Sequence, residues 1–173
     1  MPANPQLQTL IQIPIFRGLT ERQTAAVLDI AEERALKKGE AIFAEGDPGD
    51  GLYVLLEGSV EIQKKDRSGK PQPLAKLGDG AAIGEMSLIA GDAPRSASAI
   101  AGSDARLLRI SSSRFARLLG SDDLAALKII HNLAQVMARR LHLLDEKVVD
   151  LMDKGKRKEE LADFQRILNN WSF

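Results

Sequence analysis

The chain has 173 residues, 44% hydrophobic and only 4% aromatic, with 24 basic and 24 acidic side chains and no cysteine. That is one domain's length with apolar material for one core, a balance that argues against disorder. Zero net charge excludes strong bulk attraction to nucleic acid or acidic membrane, and the lack of cysteine excludes disulfides, thiolate zinc sites and cysteine nucleophiles.

The opening stretch MPANPQLQTLIQIPIF has no basic leader, no apolar core of signal-peptide length and no cleavage-like site. No run approaches the roughly 20 apolar residues of a membrane span. The expectation is a cytoplasmic protein with no membrane segment. Residues 1–36 read as an N-terminal helical segment. Pro14 and Gly18 punctuate a short apolar stretch, Ile15-Phe16, fit to dock on a core. Thr20 with Gln23 resembles a capping box, followed by the apolar stripe Ala25, Val27, Leu28 and Ala31.

Residues 37–110 change character. Glycines recur at 39, 46, 49, 51, 58, 69, 78, 80, 84 and 91, separating short apolar runs such as Leu52–Leu56 and Ser59–Ile62. Short strands broken by Gly and Asp turns suggest a sandwich or barrel. Arg67–Pro71 reads as a hairpin tip and Ala105–Ile110 as a final strand. From 111 to 152 the chain turns helical again. Ser113 is placed to cap a short helix, Arg114–Leu119, and Ser121 with Asp122 and Asp123 to start a long one. Along that long helix Leu127, Ile130, Ala134, Met137, Leu141, Leu144, Val148 and Leu151 lie alternately three and four residues apart. This is the seam of a two-stranded coiled coil and predicts a homodimer through Leu127–Leu151; a helix packed on its own domain would favour a wider stripe of period 3.6. Gly155 breaks the pattern, and 153–173 reads as a tail helix with Leu161, Phe164, Ile167 and Leu168 on one side.

The chemistry is concentrated in Gly84-Glu85-Met86-Ser87-Leu88-Ile89-Ala90-Gly91-Asp92-Ala93-Pro94-Arg95-Ser96-Ala97. A glycine that permits close backbone approach precedes a short helical turn with unpaired amides, the makings of an anion site. Arg95, ten residues after Glu85, can meet the same anion with a bidentate fork. A carboxylate beside an anion makes sense where it accepts hydrogen bonds from hydroxyls, as from a ribose.

This segment resembles the phosphate-binding cassette of cyclic nucleotide-binding domains. The resemblance runs from about Pro14 to Val148. It takes in Pro14–Leu19, the Gly46-Asp47-Pro48-Gly49-Asp50 turn, Tyr53 to Val60, Ala138-Arg139-Arg140-Leu141 and Glu146-Lys147-Val148. It implies a mainly β fold, a double-stranded β-helix (jelly roll), with an N-terminal helix and a long C-terminal dimerisation helix. It implies Glu85 on the ribose 2′-hydroxyl, Arg95 on the cyclic phosphate, and backbone amides of Gly84, Glu85 and Met86 around the sugar-phosphate. Ser96 is placed to donate to phosphate or base. Ile62, Leu74 and Leu77 would supply apolar wall, with Ile83, Ser87 and Ala97 as further lining. Ile83 stands where the family often has Phe, which bears on base preference more than on phosphate binding. The alternative role for Glu85 and Arg95 is a mutual salt bridge stabilising a loop.

In catabolite activator-like members, hydroxyl residues on the long helix touch adenine; here the matching positions are Leu144 and Asp145. Asp145 can clamp guanine or be a solvated flank of the seam. The ligand is therefore cAMP or cGMP, with cAMP ahead on family frequency alone. Only about 22 residues follow Leu151, too few for a helix-turn-helix with its support. The Lys154, Lys156, Arg157, Lys158 cluster is followed at once by Glu159 and Glu160. DNA binding is not expected. His131 and His142 fall outside the seam, Ser111-Ser112-Ser113 reads as turn and cap, and no catalytic triad or metal-ligand spacing is visible. The reading is a non-catalytic sensor without cofactor or metal that signals through its C-terminal helix to an unidentified protein. The rivals are a dimeric scaffold with a vestigial pocket and a transcription regulator without a recognisable DNA-binding domain.

Overall fold

The structure, a computed structural model, describes residues 10–91, 93–121 and 124–154, with side chains described up to Val149 except that of Lys147. Pro14–Phe16 form a 3₁₀ turn whose Ile15 and Phe16 are both buried. Helix α1 (Glu21–Asp29) starts at the capping box. The Gln23 amide donates to Thr20 Oγ1 at 3.2 Å, and the Thr20 amide to Gln23 Oε1 at 3.1 Å.

Strands β1 (Ala31–Leu36), β2 (Ala41–Phe43), β3 (Gly51–Glu57), β4 (Val60–Lys65), β5 (Pro71–Leu77) and β6 (Ala82–Ile83) follow. Helix α2 (Glu85–Ile89), β7 (Ser98–Ala101), β8 (Ala105–Ser111), α3 (Ser112–Leu119) and α4 (Leu124–Lys154) complete the order. Two antiparallel four-stranded sheets result, β1-β8-β3-β6 and β2-β7-β4-β5, a jelly roll with flanking helices as expected. The described chain divides into two compact units, one up to Leu133 and one from Ala134.

Two boundaries differ from the sequence reading. The roll begins before residue 37: residues 31–36, expected to be helical, pair antiparallel with β8, Ala31 opposite Ile110 and Leu36 opposite Ala105. Ala-Glu-Glu-Arg-Ala-Leu has high helix propensity, and sheet-edge pairing overrides it. Its charged residues then serve to guard an edge. The cap of α3 is Ser111, not Ser113: the Arg114 amide donates to Ser111 Oγ at 3.3 Å. Ser121 Oγ donates to Leu118 O at 2.7 Å; residues 122 and 123, between Ser121 and the start of α4, lie outside the described residues. Asp122, Asp123, Gly155, the 154–158 basic cluster and the tail helix lie outside the described residues or side chains.

The sheet β1-β8-β3-β6 separates two cores. On one side Leu52, Val54, Leu108 and Ile110 pack with Ile15, Phe16, Val27, Phe115, Ile129 and Leu133. On the other, inside the roll, Tyr53, Leu55, Ile83 and Leu107 meet Ile42, Val60 and Ala99. Strand period two explains the split, and β3 is buried on both faces because it lies between the two cores.

Candidate functional site

The cassette is held against the turn that precedes β3. The Gly46 amide donates to Arg95 O and the Arg95 amide to Asp47 O, each at 2.8 Å. Asp47 shapes that turn by accepting the Ala44 amide at 2.8 Å. Gly49 lies so close to α2 that a Cβ there would overlap the Ser87 side chain. Gly84 precedes α2 with φ 77° and ψ 20°, a left-handed conformation that suits glycine. A side chain at this position would also overlap Arg95 Nη1.

Arg95 is 3% exposed. Its Nη2 donates to Asp50 Oδ1 at 2.5 Å and to Gly51 O at 2.8 Å. Its Nη1 donates to Gly84 O at 3.1 Å and to Ser87 Oγ at 3.2 Å. The guanidinium carbon sits 4.2 Å from the centre of the Phe43 ring and 5.6 Å from that of Tyr53, a pair of cation–π contacts. Both rings border the core inside the roll. One nitrogen is left over: Arg95 Nε is buried and has no hydrogen-bond partner among the described residues. Leaving such a donor unpaired costs on the order of 1–3 kcal/mol, a cost that an incoming oxygen acceptor removes.

Asp50 is the hinge of the electrostatics. It also accepts from Arg109, at 2.8 Å from Nη2 and 3.2 Å from Nε. Arg109 Nη1 in turn reaches Glu32 Oε2 at 3.2 Å, and Glu32 Oε1 lies 2.9 Å from Arg114 Nη1 on α3. An ion-pair chain therefore runs Arg95–Asp50–Arg109–Glu32–Arg114. Burial alone pushes the Asp50 carboxyl up, but the hydrogen bonds and charges of Arg109 and Arg95 outweigh it and hold it below its ordinary value. For Arg109, burial acts to lower the guanidinium pKa, and Asp50 and Tyr53 together raise it.

The sequence-predicted residues fall into three groups. Gly84, Ser87 and Arg95 are brought together by hydrogen bonds or close approach, with Ile83 buried just before them in β6. Glu85 opens α2 half-buried, and Ala97 is also half-buried. Met86 is 50% exposed, with Ser96 Oγ 3.9 Å from its sulfur. Of the apolar wall, Ile62 and Leu77 pack against the roll core, whereas Leu74 is 60% exposed and joins neither core cluster. Leu144 and Asp145 are exposed residues of the second unit. Arg95 forms an ion pair with Asp50. Sequence reasoning missed Asp50, Phe43 and Arg109 as neighbours of the arginine. Asp50 lay within the quoted turn, but its partner is 45 positions away. No group of His, Asp or Glu among the described residues is arranged to hold a metal ion. No helix among them is long and apolar enough to cross a membrane.

The family model for the cyclic nucleotide-binding domain matches residues 33–122. The chain belongs to the cyclic nucleotide-binding domain family. Its relatives include the cyclic AMP receptor protein of Thermus thermophilus, 34% identical over 86% of this chain and 66% of that protein. A cAMP-dependent protein kinase regulatory subunit of Mycosarcoma maydis is 35% identical over 64% of this chain and 22% of its own length. The chain thus spans just under two thirds of the first relative and about a fifth of the second. Among solved structures, a cyclic nucleotide-binding domain from Methylobacillus flagellatus superposes with a TM-score of 0.76 at 26% identity, covering 88% of this chain and 86% of that one. As a member of this family the chain has relatives that are regulators named for cAMP.

Proposed function

We propose that this chain is a non-catalytic sensor that binds a cyclic nucleotide, cAMP ahead of cGMP, with Arg95 on the cyclic phosphate and Glu85 on the ribose. The observation that carries this reading is the buried Arg95 Nε, without a hydrogen-bond partner among the described residues, in a guanidinium otherwise fully bonded. A structural arginine gains nothing from that orphaned donor, whereas an oxyanion satisfies it with a charge-assisted hydrogen bond. The names of the relatives support cAMP as the base choice.

An anion at Arg95 competes with Asp50 for the same guanidinium. Asp50 then shifts its allegiance toward Arg109, and through Glu32 the change reaches Arg114 on α3. Ligand transmits a signal only by binding one such arrangement more tightly than the other. The output is a homodimer through the Leu127–Leu151 seam read by a partner protein.

The test is calorimetric titration of the full chain, stripped of co-purified nucleotide, with cAMP and separately with cGMP. Saturable binding is expected. Arg95→Ala should weaken it by about 2–5 kcal/mol, roughly 30-fold to several thousand-fold. Absence of binding to either nucleotide would leave a dimeric scaffold, and unchanged affinity in Arg95→Ala would remove the phosphate role.

A further inference from the structure

On the outer face of the β1-β8-β3-β6 sheet lies a cavity of about 630 Å³, within the usual range for small-molecule sites. Its floor is apolar, made by Ile13 beside the 3₁₀ turn, Leu28 of α1, Leu56 of β3 and Leu108 of β8. The alternation of β8 turns Leu107 into the roll and Leu108 toward this cavity, so the two sites share a sheet but no lining side chain.

The rim is unbalanced in charge. It carries three carboxylates, Glu33, Glu57 and Asp79, against one cation, Arg106. Arg106 is already committed: its Nε and Nη2 donate to Glu33 Oε1 at 2.8 and 2.6 Å, and its Nη1 lies 3.5 Å from Glu57 Oε2. Asp79 has no ion-pair partner among the described residues. One guanidinium serving two of three carboxylates leaves the mouth net negative over an apolar floor.

We infer that this outer cavity binds a small amphipathic cation, an apolar body carrying a single amine. The body covers Leu28, Leu56 and Leu108 and removes them from water, and the ammonium supplies the rim with its missing positive charge. An anion of the same shape meets like charge at the rim and is rejected. The site is independent of the cyclic-nucleotide reading, and a nucleotide phosphate is the wrong sign for it.

The experiment is an NMR titration of the isotope-labelled full chain with 4-phenylbutylamine and, as the matched anion, 4-phenylbutyrate. The amine is expected to shift the methyl signals of Ile13, Leu28 and Leu56 saturably, with and without saturating cAMP, and the carboxylate is expected to leave them in place. Asp79→Asn, an exposed rim change, should weaken the amine about two- to fivefold. Leu28→Trp, which fills the cavity, should abolish its binding. Equal response to both probes, shifts confined to roll residues such as Tyr53, or no saturable shift in the unmodified chain would each overturn the inference. Retention of full amine affinity in folded Asp79→Asn would remove its electrostatic half.

Discussion

Helix α4 carries apolar side chains along its described length, yet the parts belonging to the two units use them differently. In the first unit Ala125, Ala126, Ile129 and Leu133 are each 0% exposed, a stripe at helical period packed into the core with Phe16 and Phe115. In the second unit Leu141, Leu143, Leu144 and Val149 are between 41% and 63% exposed. The seam residue Leu127, on the same turns as the buried stripe, is itself 54% exposed. Two patterns are therefore superimposed on one helix. The 3.6-residue stripe satisfies the domain and runs out at Leu133; of the seam, Ile130 still packs against that core, whereas Leu127, Leu141 and Leu144 are left exposed. Spacing along the chain does not by itself separate them, because both patterns put apolar residues three and four apart.

The largest effect should come from the buried stripe. Ile129→Ala is expected to cost about 2–5 kcal/mol of stability in a urea melt, through lost burial and the cavity it leaves. A cost below about 1 kcal/mol would mean that the stripe does not hold the first unit together. On the seam, Leu141→Asp should leave that melt nearly unchanged but weaken self-association by about thirtyfold or more in sedimentation. Leu143→Ala, on an exposed position off the seam, should move neither measurement by more than about 0.5 kcal/mol. If Leu141→Asp and Leu143→Ala behave alike, the heptad reading fails and the exposed leucines are merely surface.

A smaller effect, and one confined to the first unit, concerns Asp50. Asp50→Asn should destabilise by about 1–3 kcal/mol, because Arg95 stays buried while its anionic partner becomes neutral. The half-exposed carboxylate keeps this at the modest end for a buried pair. The Asp50 carboxyl is held below its ordinary value in the fold. Its contribution is thus complete above the unfolded aspartate value, near pH 4, and is lost as pH falls through the lower folded value. The urea midpoint should fall more steeply on acidification for the unmodified chain than for Asp50→Asn, and parallel curves would show that this pair does not govern the acid response.

What could be read without tertiary structure was what is encoded within about ten residues. The capping box at Thr20 and Gln23, the hairpin turn near Gly69 and the glycine followed by a short helix at Gly84–Ile89 are all local constellations, and each is found in the structure at its stated residues. Propensity misled at residues 31–36, where a helix-favouring string becomes an edge strand because β8 offers it backbone partners some 70 residues away.

The sequence by itself determined the family and the roll architecture, and it singled out Arg95 as the residue to test. Only the tertiary structure decided what surrounds that arginine: Asp50 at a separation of 45 residues, the Phe43 ring beneath it, and one guanidinium nitrogen left without a partner among the described residues. It alone revealed the acid-rimmed cavity on the far side of the sheet, assembled from the 3₁₀ turn, α1, β3 and β8. The physical reason is the same in both cases. Local spacing sets which way a side chain points along its own strand or helix, but a charge finds its counter-charge, and a cavity its walls, only when distant segments close on one another.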